Sequence, residues 1–277
     1  RNVLVIAASV KCSGGVVKEA ARRIQQHLLP KFPNVDRVMG IDHHWGCGCA
    51  ITTPYADVTQ RILNGFLHNG SVGQLGIVRL GCEKNETSRM FPDTSRQPVP
   101  MRGLEVVSNE PAVIGIQQEG GSLAVIEAIC NWAAGVLPRL NERRRVELPL
   151  SDLCIALQCG GSDRFSGYSA NPAIGHATDL FARAGAKVFF TETSEIVGGV
   201  EELLARCANN DVATKLKREI RWYWDYLRRL DAGFEGNPTP GNKEGGISNI
   251  YEKACGSIRK SGTVPLIDVV MAGELVT

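Results

Sequence analysis

Val3-Leu4-Val5-Ile6-Ala7-Ala8 is a short apolar run rich in β-branched residues. It is followed by Lys11-Cys12-Ser13-Gly14-Gly15 and then by Val16–Leu29, where apolar residues recur near the helical period until Pro30 stops them. This is one strand-loop-helix unit, and the pattern repeats. Val35–Ile41 reads as a strand, the loop through Gly46 and Gly48 precedes a helix over Pro54–Leu67, and Leu75–Leu80 reads as the next strand. Lys84–Asn109 is polar and carries Pro92, Pro98 and Pro100, which predicts a long irregular loop acting as a lid or an interface arm. Ala112–Gln117 returns as a strand, and Ser122–Leu140 as a helix.

The charged segment Asn141–Glu147 separates this set from a second one. Leu153–Gln158 reads as an apolar strand, and Asn171-Pro172 as the N-cap and first-turn proline of a helix stopped by Gly185. Lys187–Thr191 follows as a strand, with helices over Gly199–Cys207 and Asp211–Leu230; the second crowds Trp222, Tyr223, Trp224 and Tyr226 together. Alternation of this kind predicts an α/β protein of two three-layer domains with mainly parallel sheets, residues 1–145 and 146–277. In such sheets ligands gather in the loops after the C-terminal ends of strands, and the unusual residues of this chain lie in those loops.

The bulk chemistry narrows the function. A chain of 277 residues with 43% hydrophobic and 22% charged residues can bury a substantial core. Its 31 Lys and Arg nearly balance 29 Asp and Glu, and no basic block alternates with aromatics, which excludes a nucleic-acid partner. No apolar run approaches the roughly 20 residues of a membrane span, and Asn2–Val10 is too short for a signal peptide, so a cytoplasmic address without a membrane partner is expected. Nine cysteines make an odd set for a disulfide framework and suit reduced thiols. Both ends read as cut, which suggests an excised piece of a longer protein.

Four segments carry residues suited to chemistry. In Asp42-His43-His44-Trp45-Gly46-Cys47-Gly48-Cys49, imidazoles and thiols crowd one loop that glycines allow to turn sharply, a composition able to hold a metal. A lone His or Cys would more often be a cap or a small buried hydrophobe; the clustering favours function here. Gly81-Cys82-Glu83 and Cys12 occupy the equivalent post-strand positions of two neighbouring units. In Gln158-Cys159-Gly160-Gly161-Ser162-Asp163-Arg164-Phe165-Ser166-Gly167, followed by Asn171-Pro172, paired glycines, hydroxyls and a helix start favour an anion, although a tight capped turn accounts for part of it. Asn237-Pro238-Thr239-Pro240-Gly241-Asn242-Lys243-Glu244-Gly245-Gly246, with Glu252-Lys253 and Lys260-Ser261-Gly262, presents an amide and an ammonium suited to an acid substrate, a surface loop being the bland alternative.

Taken in order, His43-x-x-Gly46-Cys47-Gly48, Gly81-Cys82-Glu83, Cys159-Gly160-Gly161-Ser162-Asp163 with Ser166-Gly167 and Ala170-Asn171-Pro172, and Gly241-Asn242-Lys243 with Gly245-Gly246 and Glu252-Lys253 resemble the galactarate/altronate dehydratase family, which also includes sulfolactate sulfo-lyase. The resemblance runs nearly end to end from Arg1-Asn2 and looks closest to galactarate members. It implies a small domain before this chain and a further stretch after it. It also implies a hydro-lyase that removes water from a sugar acid, with iron(II) as cofactor and zinc or another divalent metal as substitutes. On that basis His43, Cys47, Cys82 and Cys159 are the expected metal ligands. Gly160, Gly161, Ser162, Asp163, Ser166, Asn171, Asn242 and Lys243 are expected to bind the substrate, and His43, Glu192, Glu195 and Lys243 to serve catalysis. The cleft would close between the two domains. The alternatives are a sugar-acid-binding module without turnover and a zinc-dependent hydrolase. The expected partner is a small sugar acid, and a homodimer is an assembly the sequence allows.

Overall fold

β1 (Val3–Ala8) is buried at every position, which requires cover on both of its faces. It lies inside a four-stranded sheet of order β2-β1-β3-β4, with β2 at Arg37–Ile41, β3 at Val72–Arg79 and β4 at Ala112–Gly115, all pairs parallel. Side chains alternate across a strand, so one face of β1 sends Leu4, Ile6 and Ala8 into a cluster with Val17, Ala20 and Ile24 of α1 (Gly14–His27) and Val125, Ile129 and Leu137 of α3 (Ser122–Asn141). The other face sends Val3, Val5 and Ala7 against Leu75 and Ile77 of β3 and Leu63 of α2 (Pro54–Leu67). Each fully buried Leu or Ile here stabilises the unit by roughly 1.5–3 kcal/mol.

The computed structural model describes residues 2–48, 50, 54–67, 69–84, 112–234, 236–271, 274 and 276, and the chain divides into two units, Arg1–Val146 and Glu147–Thr277. The expected lid over Lys84–Asn109 lies outside the described residues beyond Lys84, as does Cys49. β2 begins two residues later than the sequence suggests, because the Val35 N–H turns back to Phe32 O and the chain enters the sheet only afterwards.

One sequence expectation is corrected by α3. Its 20 residues are long and apolar enough to cross a membrane by length and composition, contrary to the expectation that no run approaches such a span. Here the helix has a different role, since Val125, Ile126, Ile129, Ala133, Val136, Leu137 and Leu140 close the core over β1.

The second unit carries a smaller sheet than a three-layer domain needs. Among the described residues, β5 (Cys154–Leu157) pairs in parallel with β6 (Lys187–Phe190) alone. Most of its apolar packing is helical: Ile196, Leu203, Leu216, Ile220 and Ile258 form the core cluster, contributed by α6 (Val200–Ala205), α7 (Asn210–Arg229), α9 (Ile250–Ile258) and the turn before α6. α5 (Ala170–Arg183) starts two residues earlier than expected, with Ser169 at the N-cap; Asn171 lies inside its first turn and gives its amide N–H to Gly256 O at 2.9 Å. Pro172 is tolerated because first-turn N–H groups have no helical partner.

α5 also fixes the segment that follows α9. Asp179, buried, accepts from Thr263 N–H at 2.7 Å, Thr263 Oγ1 at 2.6 Å and Val264 N–H at 3.2 Å. Gly262 has φ +69°, and a Cβ there would stand 2.1 Å from Asp179 Oδ1, so that position requires glycine. Burial alone would push the Asp179 carboxyl up, but the Thr263 and Val264 donors together with Arg183 outweigh it and hold the carboxyl below its ordinary value of 3.8. A depressed carboxyl contributes stability that is present above the unfolded value and lost as pH falls through the folded one. Asp179→Ala is expected to destabilise the protein by about 1.5–3 kcal/mol in urea unfolding near neutrality, and the difference from wild type is expected to shrink as pH falls below about 3.8.

Candidate active site

In the first unit the three post-strand loops are laced together. His43, after β2, gives Nε2–H to Ala8 O at 2.9 Å, and its Nδ1 accepts the Trp45 N–H at 3.2 Å. Lys11 N–H reaches Trp45 O at 3.0 Å, and Lys84 N–H reaches Gly46 O at 2.9 Å. Gly46 has φ +110°, and a Cβ on it would stand 2.9 Å from Ser9 O, so glycine permits this approach. Glu83 has a buried side chain and serves as the clasp: it accepts from Gly81 N–H at 2.6 Å and Ser9 Oγ at 3.3 Å, with Arg79 Nε at 3.4 Å. Cys12, Cys47 and Cys82 are exposed free thiols at this edge.

Within the first unit, His43, Cys47 and Cys82 are not brought together as a ligand set. Among the described residues no group of three or more His, Cys, Asp and Glu side chains could hold a metal ion. Both ring nitrogens of His43 are engaged, one as donor and one as acceptor, so a ligating lone pair becomes free only if a hydrogen bond breaks. The described residues as placed do not fit a metal. Burial pushes the His43 imidazole below its ordinary value of 6.5, against the raising effect of its bond to Ala8 O.

The second unit gathers charge. The loop after β5 and the loop around Glu192 and Glu195, after β6, meet: Glu192 Oε2 accepts the Cys159 N–H, and Cys159 Sγ lies 3.0 Å from Ser162 Oγ. Glu192 takes φ +72°, a left-handed backbone that costs a non-glycine residue energy and is found preferentially at functional sites. Lys260, whose side chain is 4% exposed, stands 3.9 Å from Glu192. Lys253, 8% exposed at its side chain, stands 3.0 Å from Glu195 Oε2 and donates to Asn237 Oδ1 at 2.8 Å, while Asn237 Nδ2 donates to Glu195 Oε1 at 3.2 Å.

The remaining expected residues frame this network. Asp163 caps α4 (Arg164–Tyr168) by accepting the Ser166 N–H at 2.7 Å, and Ser166 Oγ accepts the Asp163 N–H at 2.9 Å in return. Thr239 and Asn242 make the same reciprocal cap on α8 (Pro240–Glu244), and Asn242 Nδ2 donates to Ser162 O at 2.9 Å, tying the two loops. Gly160, Gly161 and Lys243 are exposed.

Residues 1–141 match the family model described as "D-galactarate dehydratase/Altronate hydrolase, second domain", and residues 150–277 match "D-galactarate/Altronate dehydratase, C-terminal". The chain belongs to the galactarate/altronate dehydratase family. It is 39% identical over 276 residues to the galactarate dehydratase (L-threo-forming) of Escherichia coli K12, covering 99% of this chain and 52% of that protein. It is 32% identical over 275 residues to the altronate dehydratase of Bacillus subtilis 168, with the same coverage, and 38% identical over 217 residues to the (2R)-sulfolactate sulfo-lyase subunit beta of Chromohalobacter salexigens, covering 78% of this chain and 52% of that subunit. The chain thus spans about half the length of the curated relatives it matches.

Within this dehydratase-family chain the sequence assigns a substrate-facing ammonium to Lys243, which is exposed, and names Lys253 and Lys260 in the same segment without a role; the structure buries both of the latter. A signal was present. Lys253, Ala254, Ser257 and Ile258 recur at helical spacing on the buried side of α9, so a lysine there had to be either paired or out of place.

The depressed His43 value yields a directional prediction. A neutral imidazole contributes stability that is present above its unfolded value of 6.5 and lost as pH falls toward the lower folded value. Between about pH 7.5 and pH 5.5, wild type is expected to lose more stability in urea unfolding than His43→Gln, and the imidazole signal of His43 in NMR titration is expected to show its midpoint below 6.5.

Proposed function

We propose that the protein containing this chain is a hydro-lyase that eliminates water from a sugar acid of the aldarate or aldonate class to give a keto-deoxy acid. The observation that carries the proposal is the buried Glu195–Lys253–Asn237 network beside the loop that holds Ser162, in a chain of this family. Two opposite charges out of water are costly unless well paired, and ionisable groups held this way are disproportionately functional.

A proton on the carbon next to a carboxylate is weakly acidic, so its removal needs a base and cationic stabilisation of the enediolate that forms. Glu195 is the base, and Lys253 with Asn237 stabilises the developing oxyanion. Lys260, beside Glu192, gives a proton to the departing β-hydroxyl, so the C–H and C–O bonds break, water leaves, and the enol tautomerises to the 2-keto acid. Glu192 positions the Cys159–Ser162 loop through the Cys159 N–H. Iron(II) stays outside this sequence of steps, because a metal at the first unit's sheet edge requires His43 to surrender one of its two hydrogen bonds. A cytoplasmic address accords with the free thiols.

The test is a panel of aldarates, aldonates and sulfolactate at full gene length, read by a coupled 2-keto acid assay. Lys253→Met strands a buried carboxylate and is expected to cost about 3–5 kcal/mol of stability. The double variant Lys253→Met/Glu195→Leu removes both charges and is expected to recover much of that stability, with turnover lower than wild type by about a hundredfold or more. A folded double variant that keeps wild-type turnover would remove the assignment, and ligand binding without turnover by wild type would favour a sugar-acid-binding module.

A further inference from the structure

α4 and α9 cross where two glycines face each other: a Cβ on Gly167 would stand 3.3 Å from Gly256 Cα, and one on Gly256 would stand 3.2 Å from Gly167 Cα. Beside this crossing opens a cleft of about 120 Å³, lined among others by Ser162, Ser166, Asn171, Lys253, Ser257 and Arg259. Ser257 is 5% exposed, and its Oγ is buried with no hydrogen-bond partner. A buried hydroxyl without a partner is rare in folded proteins and marks a place where a partner is missing.

The charges around the cleft say what that partner is. The acidic lining groups are already satisfied: Asp163 accepts the Ser166 N–H, and Glu252 accepts Ser248 N–H at 2.8 Å and Ser248 Oγ at 2.7 Å, bonds that hold its carboxyl below the usual range. Neither needs a further donor. On the basic side, the Lys253 ammonium is committed to Glu195 and Asn237, and Arg259 gives one N–H to Gly167 O at 3.3 Å from a guanidinium rich in donors. A volume of this size holds one end of a six-carbon acid, well below the several hundred Å³ of a site for a whole larger ligand.

We propose that this cleft is a subsite for the hydroxyl- and carboxylate-bearing end of the sugar acid remote from the reacting carbons, with the Ser257 hydroxyl bonding that end. The assignment of the occupant rests on the dehydratase proposal; the existence of an α-hydroxy-carboxylate site does not. L-tartrate, short enough to occupy one end alone, is the probe, measured by calorimetric binding to the 277-residue chain and to the protein at full gene length.

Ser257→Ala is expected to weaken tartrate binding about tenfold and to raise KM for the sugar acid by a similar factor while kcat stays within about twofold. Ser257→Thr, which keeps the hydroxyl, is expected to restore part of the affinity and provides the measurement if the alanine variant fails to fold. Unchanged tartrate affinity and KM in folded Ser257→Ala would overturn the subsite, as would a wild type that does not bind tartrate. Tartrate binding that depends on Ser257 in a protein that turns over no sugar acid would keep the subsite and remove the dehydratase assignment.

Discussion

β1 is covered by helices on one face and by α2 on the other, and it is flanked by parallel neighbours on both edges. A strand in that position has no lateral surface left, so any group meant to meet solvent or ligand must stand beyond its C-terminal end. Ser9, Lys11 and Cys12 do so, and the loops after β2 and β3 converge on the same place through backbone bonds to Ala8 O, Trp45 O and Gly46 O. The crowding of His43, Gly46, Cys47 and Glu83 follows from this confinement. Three of the four have structural duties: His43 bridges Ala8 O and Trp45 N–H, Gly46 permits contact with Ser9 O, and Glu83 clasps Gly81 and Ser9.

In the second unit the constraint is electrostatic. Lys253 and Lys260 are buried on or just after α9, and each faces a glutamate from the segment that follows β6. Because unpaired buried charge is so unfavourable, the position of that segment and the position of α9 depend on one another. The contact of Gly198 with Tyr251, where a Cβ would stand 2.6 Å from Tyr251 Cα, and the approach of Gly175 to Arg259 O show how closely the neighbouring backbones are held to make this pairing.

Much of the fold was legible because it rests on periodicity. The β1 run alternates between two apolar faces, and α2 matches its sequence reading at both ends, since a proline starts it and the apolar spacing carries through to Leu67. Less of the site could be read. His43 has the residue type of a metal ligand, yet its use is set by two backbone partners 35 and 2 positions away, which no local pattern reveals. Asn171 looked like a cap because Asn-Pro often is one; its amide instead reaches across to Gly256, 85 positions on. Lys243 drew the substrate role from its Pro/Gly loop, whereas Lys253, named with Glu252 as part of the family pattern, had no role assigned because its burial on the inner side of α9 and its pairing with Glu195 come from tertiary contacts.

The facing glycines of α4 and α9 act as a spacer as well as a contact. With no side chain on either, the helices approach to backbone distance, and their separation beside the cleft is set by main chain, which has no rotamers to change. A methyl group at either position would act as a shim, parting the two helices by a fixed amount without removing any polar group from the lining. Helix spacing and lining chemistry are therefore under separate control in this unit: the glycines gauge the first, and Ser257 and Arg259 contribute the second.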